Sequence, residues 1–260
     1  MRKRARLAGL CAAAAALTLA GGALGATITG TDGPNLLRGT ADGDTITALA
    51  GNDLVLGLAG DDRIDGGRGR DWLRGGPGDD TILGVQGGDL VDGGPGNDVI
   101  SGGDASDLIW GGADNDAIDA GPGRDWVSAG AGDDTVVGGA RADRIFANSG
   151  VDAVSGGDGN DDLWAMARRD LTPGPKGEVD QVGDSLDGGN GNDRFHTRDG
   201  EVDKILCGPG RDVAILDRVD VIADATAAAP TGSCERVLRA EPPKRGGKGG
   251  PDDQDPKPKL

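Results

Sequence analysis

The chain has 260 residues, 51 of them Gly, with a net charge of −17, two Phe, four Trp, no Tyr and one His. So few large apolar side chains cannot fill an ordinary globular core, and glycine at this level costs backbone entropy on folding while burying no side chain. The acidic balance excludes nucleic acid and anionic membrane surfaces as main partners, since their binders need basic patches, and it favours cations.

Residues 1–26, MRKRARLAGLCAAAAALTLAGGALGA, carry Arg2, Lys3, Arg4 and Arg6, then an apolar run, then small residues. This is the layout of a secretory signal peptide, with cleavage expected after Gly25 or Ala26. The alternative is a lone membrane anchor, for which the run is short and Ala-rich. Cys11 lies inside the segment, behind Leu10 rather than a small residue, and should leave with it. No later segment is apolar enough to span a bilayer, so the expected mature protein is secreted and soluble.

From Gly30 the chain repeats every nine residues, in fifteen units that run to Trp164 without insertion or deletion. Slot six of the unit is Asp in fourteen of them: Asp44, Asp53, Asp62, Asp71, Asp80, Asp89, Asp98, Asp107, Asp116, Asp125, Asp134, Asp143, Asp152 and Asp161. The first unit has Asn35 there. Slot eight is Leu, Ile or Val in all fifteen, and slot four is Gly in eleven, the exceptions being Asp42, Ala105, Asp114 and Arg141. A disordered tract would keep composition but not phase. Slots seven to nine alternate as a short strand does, with only slot eight facing a core. Slots one to six hold the glycines, which permit a tight reversal. The expected fold is all-β: a solenoid of parallel strands, two units per coil, over residues 27–164. Such units stabilise one another only by stacking. About seven coils at strand spacing make a body roughly 35 Å long.

Region 27–164 contains 26 Asp, eight Arg, and no Glu or Lys. A solvated acidic surface would mix Asp with Glu. Local bonding of Asp to turn N–H groups accounts for some Asp in slots three and five. It does not account for fourteen in one slot. Stacked turns would align those carboxylates at about 5 Å, where they repel unless a cation neutralises them. Calcium fits: it takes ~6–8 oxygens, carboxylate and carbonyl alike, in forgiving geometry. Magnesium prefers a strict octahedron, and zinc wants His or Cys, which the repeat lacks.

Units such as GGPGDDTIL and GGPGNDVIS resemble the calcium-binding nonapeptide of RTX (hemolysin-type) proteins. The resemblance covers all fifteen units. It implies a parallel β-roll with Ca2+ between turns of the same edge, two units apart in sequence. Asp44, Asp62, Asp80, Asp98, Asp116, Asp134 and Asp152 would line one edge. Asn35, Asp53, Asp71, Asp89, Asp107, Asp125, Asp143 and Asp161 would line the other. Sites are expected to be weaker at Asn35 and where slot four is not Gly. Folding should then follow metal: extended inside the cell, wound outside, where calcium is abundant. Many RTX proteins leave through a dedicated exporter that reads an uncleaved C-terminal signal; the N-terminal leader departs from that pattern.

Alternate units belong to opposite sheets. One sheet presents Thr45, Thr47, Thr81, Ser101, Thr135 and Ser155. The other presents Leu54, Leu56, Trp72, Leu90, Leu108, Trp110, Trp126, Phe146 and Trp164. The second is either a face for a partner, a glycan or another copy, or a surface that later segments of this chain cover.

The phase breaks at Ala165. Residues 165–187 read as an inserted loop, and 188–239 as degenerate repeats. GGNGNDRFH at 188–196 and CGPGRDVAI at 207–215 bring the pattern back, which makes Asp193 and Asp212 weaker candidate ligands. His196 reads as a surface residue in slot nine. Cys207 and Cys234 should pair in an oxidising compartment and staple this end. Residues 240–260 are Pro- and Gly-rich and read as a disordered tail.

The leading functional reading is therefore a secreted calcium-binding β-roll serving as a structural or interaction module. An enzyme is not expected: HExxH and GxSxG are absent. A pore-forming toxin would need membrane segments, and an ice-binding roll a denser Thr array. A cell-surface adhesin, an accessory subunit binding a partner or glycan through the Trp face, and a non-catalytic relative of RTX toxins or enzymes stay open.

Overall fold

A computed structural model describes residues 25–165, 183–225 and 231–239. The expected leader up to residue 24, most of the expected loop (166–182) and the expected tail from residue 240 lie outside the described residues.

Two eleven-stranded parallel sheets face each other, and successive strands alternate between them. Sheet one begins with Thr27–Thr29, Thr45–Thr47 and Arg63–Arg68 and ends with Val221–Ile222. Sheet two begins with Leu36–Arg38, Leu54–Leu56 and Trp72–Arg74 and ends with Arg236–Arg239. Up to Trp164, in-sheet partners lie eighteen residues apart, as in Thr27↔Thr45 and Leu108↔Trp126, so two nonapeptides close one coil. No helix long and apolar enough to cross a membrane occurs among the described residues.

The interior is as thin as the pattern requires. Slot eight, from Leu37 to Leu163, is buried in every unit, and Ala48, Ala120, Ala129 and Ala147 of slot one join it. In most units slot four takes a positive φ. Gly69 and Gly78 take φ values of +135° and +141°, and their carbonyl oxygens run in a row along each edge. Ala105, Asp114 and Arg141 hold the left-handed region in the same slot at φ 88°, 73° and 82°, a strained state for a residue with a Cβ.

The coils resume after the gap in the described residues. Ser185–Gly191 pairs with Ala153–Gly159, so Ser185, Leu186 and Asp187 already stand in sheet one. Cys207 and Cys234 form a disulfide with Cα atoms 5.2 Å apart. Both are buried, and the Ser233 hydroxyl accepts the Cys207 and Gly208 N–H groups at 3.1 and 3.2 Å.

Candidate metal centre

Every slot-six carboxylate faces inward at the point where its turn enters a strand, and Asp44 through Asp161 are all buried. Two edges result. Edge one holds the turns leading into sheet one, and edge two those leading into sheet two.

One oxygen of each Asp is structural. Asp98 Oδ1 accepts the Asp80 N–H at 2.8 Å, Asp116 Oδ1 the Asp98 N–H at 2.8 Å, and Asp134 Oδ1 the Asp116 N–H at 2.8 Å. Edge two repeats this, for example Asp89 to Asp107 at 2.7 Å and Asp107 to Asp125 at 2.8 Å. Each side chain therefore ties its own coil to the coil before it.

The other oxygen has no partner. Oδ2 is buried and unbonded in Asp53, Asp62, Asp71, Asp80, Asp89, Asp98, Asp107, Asp116, Asp125, Asp134, Asp143, Asp152, Asp161, Asp193 and Asp212. It lies beside slot one of its own unit and a slot-one carbonyl of the next coil. A Cβ at Gly102 would fall 2.7 Å from Asp107 Oδ2 and 2.6 Å from the Ala120 carbonyl oxygen. Where slot one is Ala, a methyl already occupies that place.

A buried charge without a counter-charge is costly, and the carboxyls register it. Burial first, then neighbouring carboxylates, raise Asp80 to about 7, Asp116 to about 8 and Asp152 to about 9. Burial likewise raises Asp62, Asp89 and Asp143 to about 6. Among the described residues no three acidic, Cys or His side chains converge closely enough to hold a metal by themselves. A cation between turns would need the carbonyl rows as well, which suits the oxygen-only, variable shell of calcium. The residues present fit that ion.

The ends of the two columns differ from the middle. Asp44 spends both oxygens on protein donors: Ala26 N–H and the Thr40 hydroxyl at 3.1 Å on Oδ1, and Thr40 N–H at 2.5 Å on Oδ2. Asn35 folds back on its own turn, accepting Thr31 N–H at 2.6 Å and donating to the Thr31 hydroxyl at 2.9 Å.

Four column members escape the sequence pattern. Asp184 accepts from Asp152 N–H at 2.9 Å, Asp203 from Asp184 at 2.8 Å, Asp220 from Asp203 at 3.4 Å, and Glu235 from Asp212 at 2.5 Å. The available signal was an acid directly before a strand triplet, as in DSLD, DKIL and DVIA. Burial and the charges of Asp199, Asp184 and Asp220 push Asp203 up to about 10.

Slot five also departs from expectation. Its side chains do not serve their own turns on edge one. Asp61 accepts Asp79 N–H at 3.0 Å, Asp79 accepts Asn97 N–H at 2.8 Å, Asn115 accepts Asp133 N–H at 2.8 Å, and Asp133 accepts Val151 N–H at 2.9 Å. This ladder ties each coil to the one after it, opposite in sense to slot six.

On sheet two, Trp110, Trp126, Phe146, Trp164 and His196 form one ladder of rings with centroids 5.3, 5.4, 5.7 and 3.7 Å apart. Small, buried Ser128 interrupts the slot-nine column between Trp110 and Phe146, and Trp126, from slot seven of the same unit, contributes the ring between theirs. His196 Nε2 lies 3.0 Å from Asp162. Burial raises the Asp162 carboxyl, but the His196 bond and the Arg144 and Arg194 charges outweigh it and hold the group below its ordinary value. Trp72 stands apart, 46% exposed.

The model of the RTX calcium-binding nonapeptide repeat, four copies long, matches residues 29–64, 56–91, 92–127, 128–163 and 183–201. No curated protein matches the chain. A repeat in strict phase, a parallel roll and a column of buried carboxylates thus meet in one conclusion: the chain belongs to the RTX calcium-binding nonapeptide repeat family.

Proposed function

We propose that this chain is a secreted protein whose roll winds on binding several Ca2+ ions and then serves as a structural or interaction module, without catalysis. The observation that carries the reading is the file of buried, unbonded Oδ2 atoms on both edges. Calcium, when bound, supplies the positive charge those oxygens lack and tolerates a mixed carboxylate and carbonyl shell. The residues that would hold it are the slot-six Asp from Asp53 to Asp161, with turn carbonyls of the same edge; Asp193 and Asp212 extend the file. Asn35 and Asp44, already bonded within the protein, would hold it least. The Asp Oδ1 atoms keep the coils in register, and the Oδ2 atoms keep acid–acid repulsion in place until a cation is present.

Secretion is supported by the leader-like residues 1–26, by the Cys207–Cys234 disulfide and by the usual export of RTX repeat proteins. We take residues 27–164 as the calcium-binding body and 188–239 as its degenerate end.

Circular dichroism with and without chelator tests the reading, together with calorimetric titration of the metal-free chain. At pH 8 most of the strand signal should be lost in EDTA and return with calcium, with several ions taken up per chain. Strand content unchanged by EDTA would overturn it.

A further inference from the structure

Exposed charge is divided unequally between the two edges. Edge-one turns between residues 39 and 151 present Asp42, Asp61, Asp79, Asp114 and Asp133, all exposed, and no Lys or Arg. Edge-two turns between residues 48 and 160 present Arg68, Arg70, Arg124 and Arg141, all exposed, with Asp104 and Asp158 as their exposed acids.

The charges also match in level. Take a coil as an edge-one turn with the edge-two turn that follows it. Residues 57–74 then hold Asp61 on one edge and Arg68 and Arg70 on the other. Residues 111–128 hold Asp114 and Arg124, and residues 129–146 hold Asp133 and Arg141. The coils in which edge two is acidic present no acid in slots one to five of edge one: Asn97 shares a coil with Asp104, and Asn148 and Val151 share one with Asp158. A copy moved sideways at the same height, without rotation, therefore sets every exposed Arg of edge two in this tract against a coil bearing Asp. It sets neither acid of edge two against another. End-for-end arrangements that satisfy all three Arg-bearing coils also set an acid on an acid, Asp104 on Asp79 or Asp158 on Asp42.

We propose that wound copies of this chain associate side by side and in parallel, the Asp edge of one copy against the Arg edge of the next. Such a contact is heterologous and does not close, so it builds an open row. Like edges repel, which disfavours paired dimers through either edge. The inference rests on the calcium reading above, because only a wound chain gathers these side chains onto two opposed edges. Surface pairs of this kind are screened by salt.

The test is sedimentation velocity of the full chain in excess calcium over a range of protein concentrations, with circular dichroism on the same samples. The weight-average mass should rise at least about twofold at low ionic strength and fall back to the monomer at about 0.5 M salt. Arg124→Asp with Arg141→Asp should give a wound monomer, and so should Asp114→Arg with Asp133→Arg. Mixed in equal amounts, the two variants should associate again, since each offers the edge the other needs. A wound wild-type chain that stays monomeric at low salt would overturn the proposal. So would association that survives both reversals, which would move the contact to the apolar face of sheet two. A chain that does not wind in calcium would sink the calcium reading and this inference with it.

Discussion

In the middle of the roll, Asp98 gives one oxygen to the Asp80 N–H and keeps the other buried and unbonded. At the two ends of edge one the same slot behaves differently. Asp44 is closed by Thr40 and Ala26. Asp220 receives the Thr197 hydroxyl at 2.7 Å and the Asp217 N–H at 2.8 Å on the oxygen that stays bare in Asp98. Arg239 Nη1 adds bonds to the Asp217 and Asp220 carbonyls at 3.1 and 3.0 Å. Asp44 lies over Ala26 rather than over a carboxylate of the coil before it, and Asp220 precedes the last strand of sheet one among the described residues. There the chain supplies its own donors. The middle depends on solute, the ends on sequence.

Calcium removal should break that contrast most visibly. In EDTA at pH 8, hydrogen exchange should lose protection throughout Thr81–Gln86 and Leu108–Ala113, while Val213–Leu216 beside the disulfide keeps more of its own. Equal loss everywhere would show that the end has no separate support.

Acid should do part of calcium's work. Folded-state carboxyls raised to between about 6 and about 9, above an unfolded value of 3.8, favour the roll when protonated. That contribution is full below the unfolded value and is lost as pH rises through 6 to 9. The metal-free chain should hold more strand at pH 5 than at pH 8 by circular dichroism. Calcium affinity should run the other way, falling on acidification, since protons compete for the same oxygens. A metal-free signal flat across this range would contradict the assignment.

Opening the disulfide, by Cys207→Ser with Cys234→Ser, frees a 27-residue separation and should cost about 3 kcal/mol in calcium, read by denaturant unfolding. The number of ions bound should not change.

Asp98→Ala should lose one ion in titration and about 1–3 kcal/mol, because the Asp80 N–H is left buried and unbonded. Asp220→Ala should cost similar stability with no loss of ions; a lost ion there would erase the distinction between middle and end. The smallest effect belongs to Thr40→Val, about 1 kcal/mol with the ion count intact, since Asp44 keeps the Thr40 N–H as a donor.

The architecture could be read before any coordinates because phase, not composition, defines it: slot eight is aliphatic fifteen times over, and eighteen residues always separate paired strands in that tract. The columns were legible only while spacing stayed constant. Asp152 pairs with Asp184 across thirty-two positions, Asp184 with Asp203 across nineteen, and Asp203 with Asp220 across seventeen. Those contacts are set by one coil lying on another, and a fixed period cannot find them. Thr31 and Thr40 bond Asn35 and Asp44 from within their own turns, contacts that the nine-residue pattern does not single out. The slot-five Asp read as local turn formers because Asp often is one. Only stacking shows that Asp61 and Asp79 reach the next turn instead.

The ring ladder on sheet two carries an experimental convenience. Trp110, Trp126 and Trp164 come from three different coils, and neighbours meet only when those coils are stacked; Trp164 also lies flat on His196 from a further coil, with planes 6° apart. Intrinsic indole emission should therefore track winding of the second half of the solenoid without any added label, and Trp72, standing alone on an earlier coil, provides a reference lamp for the first half.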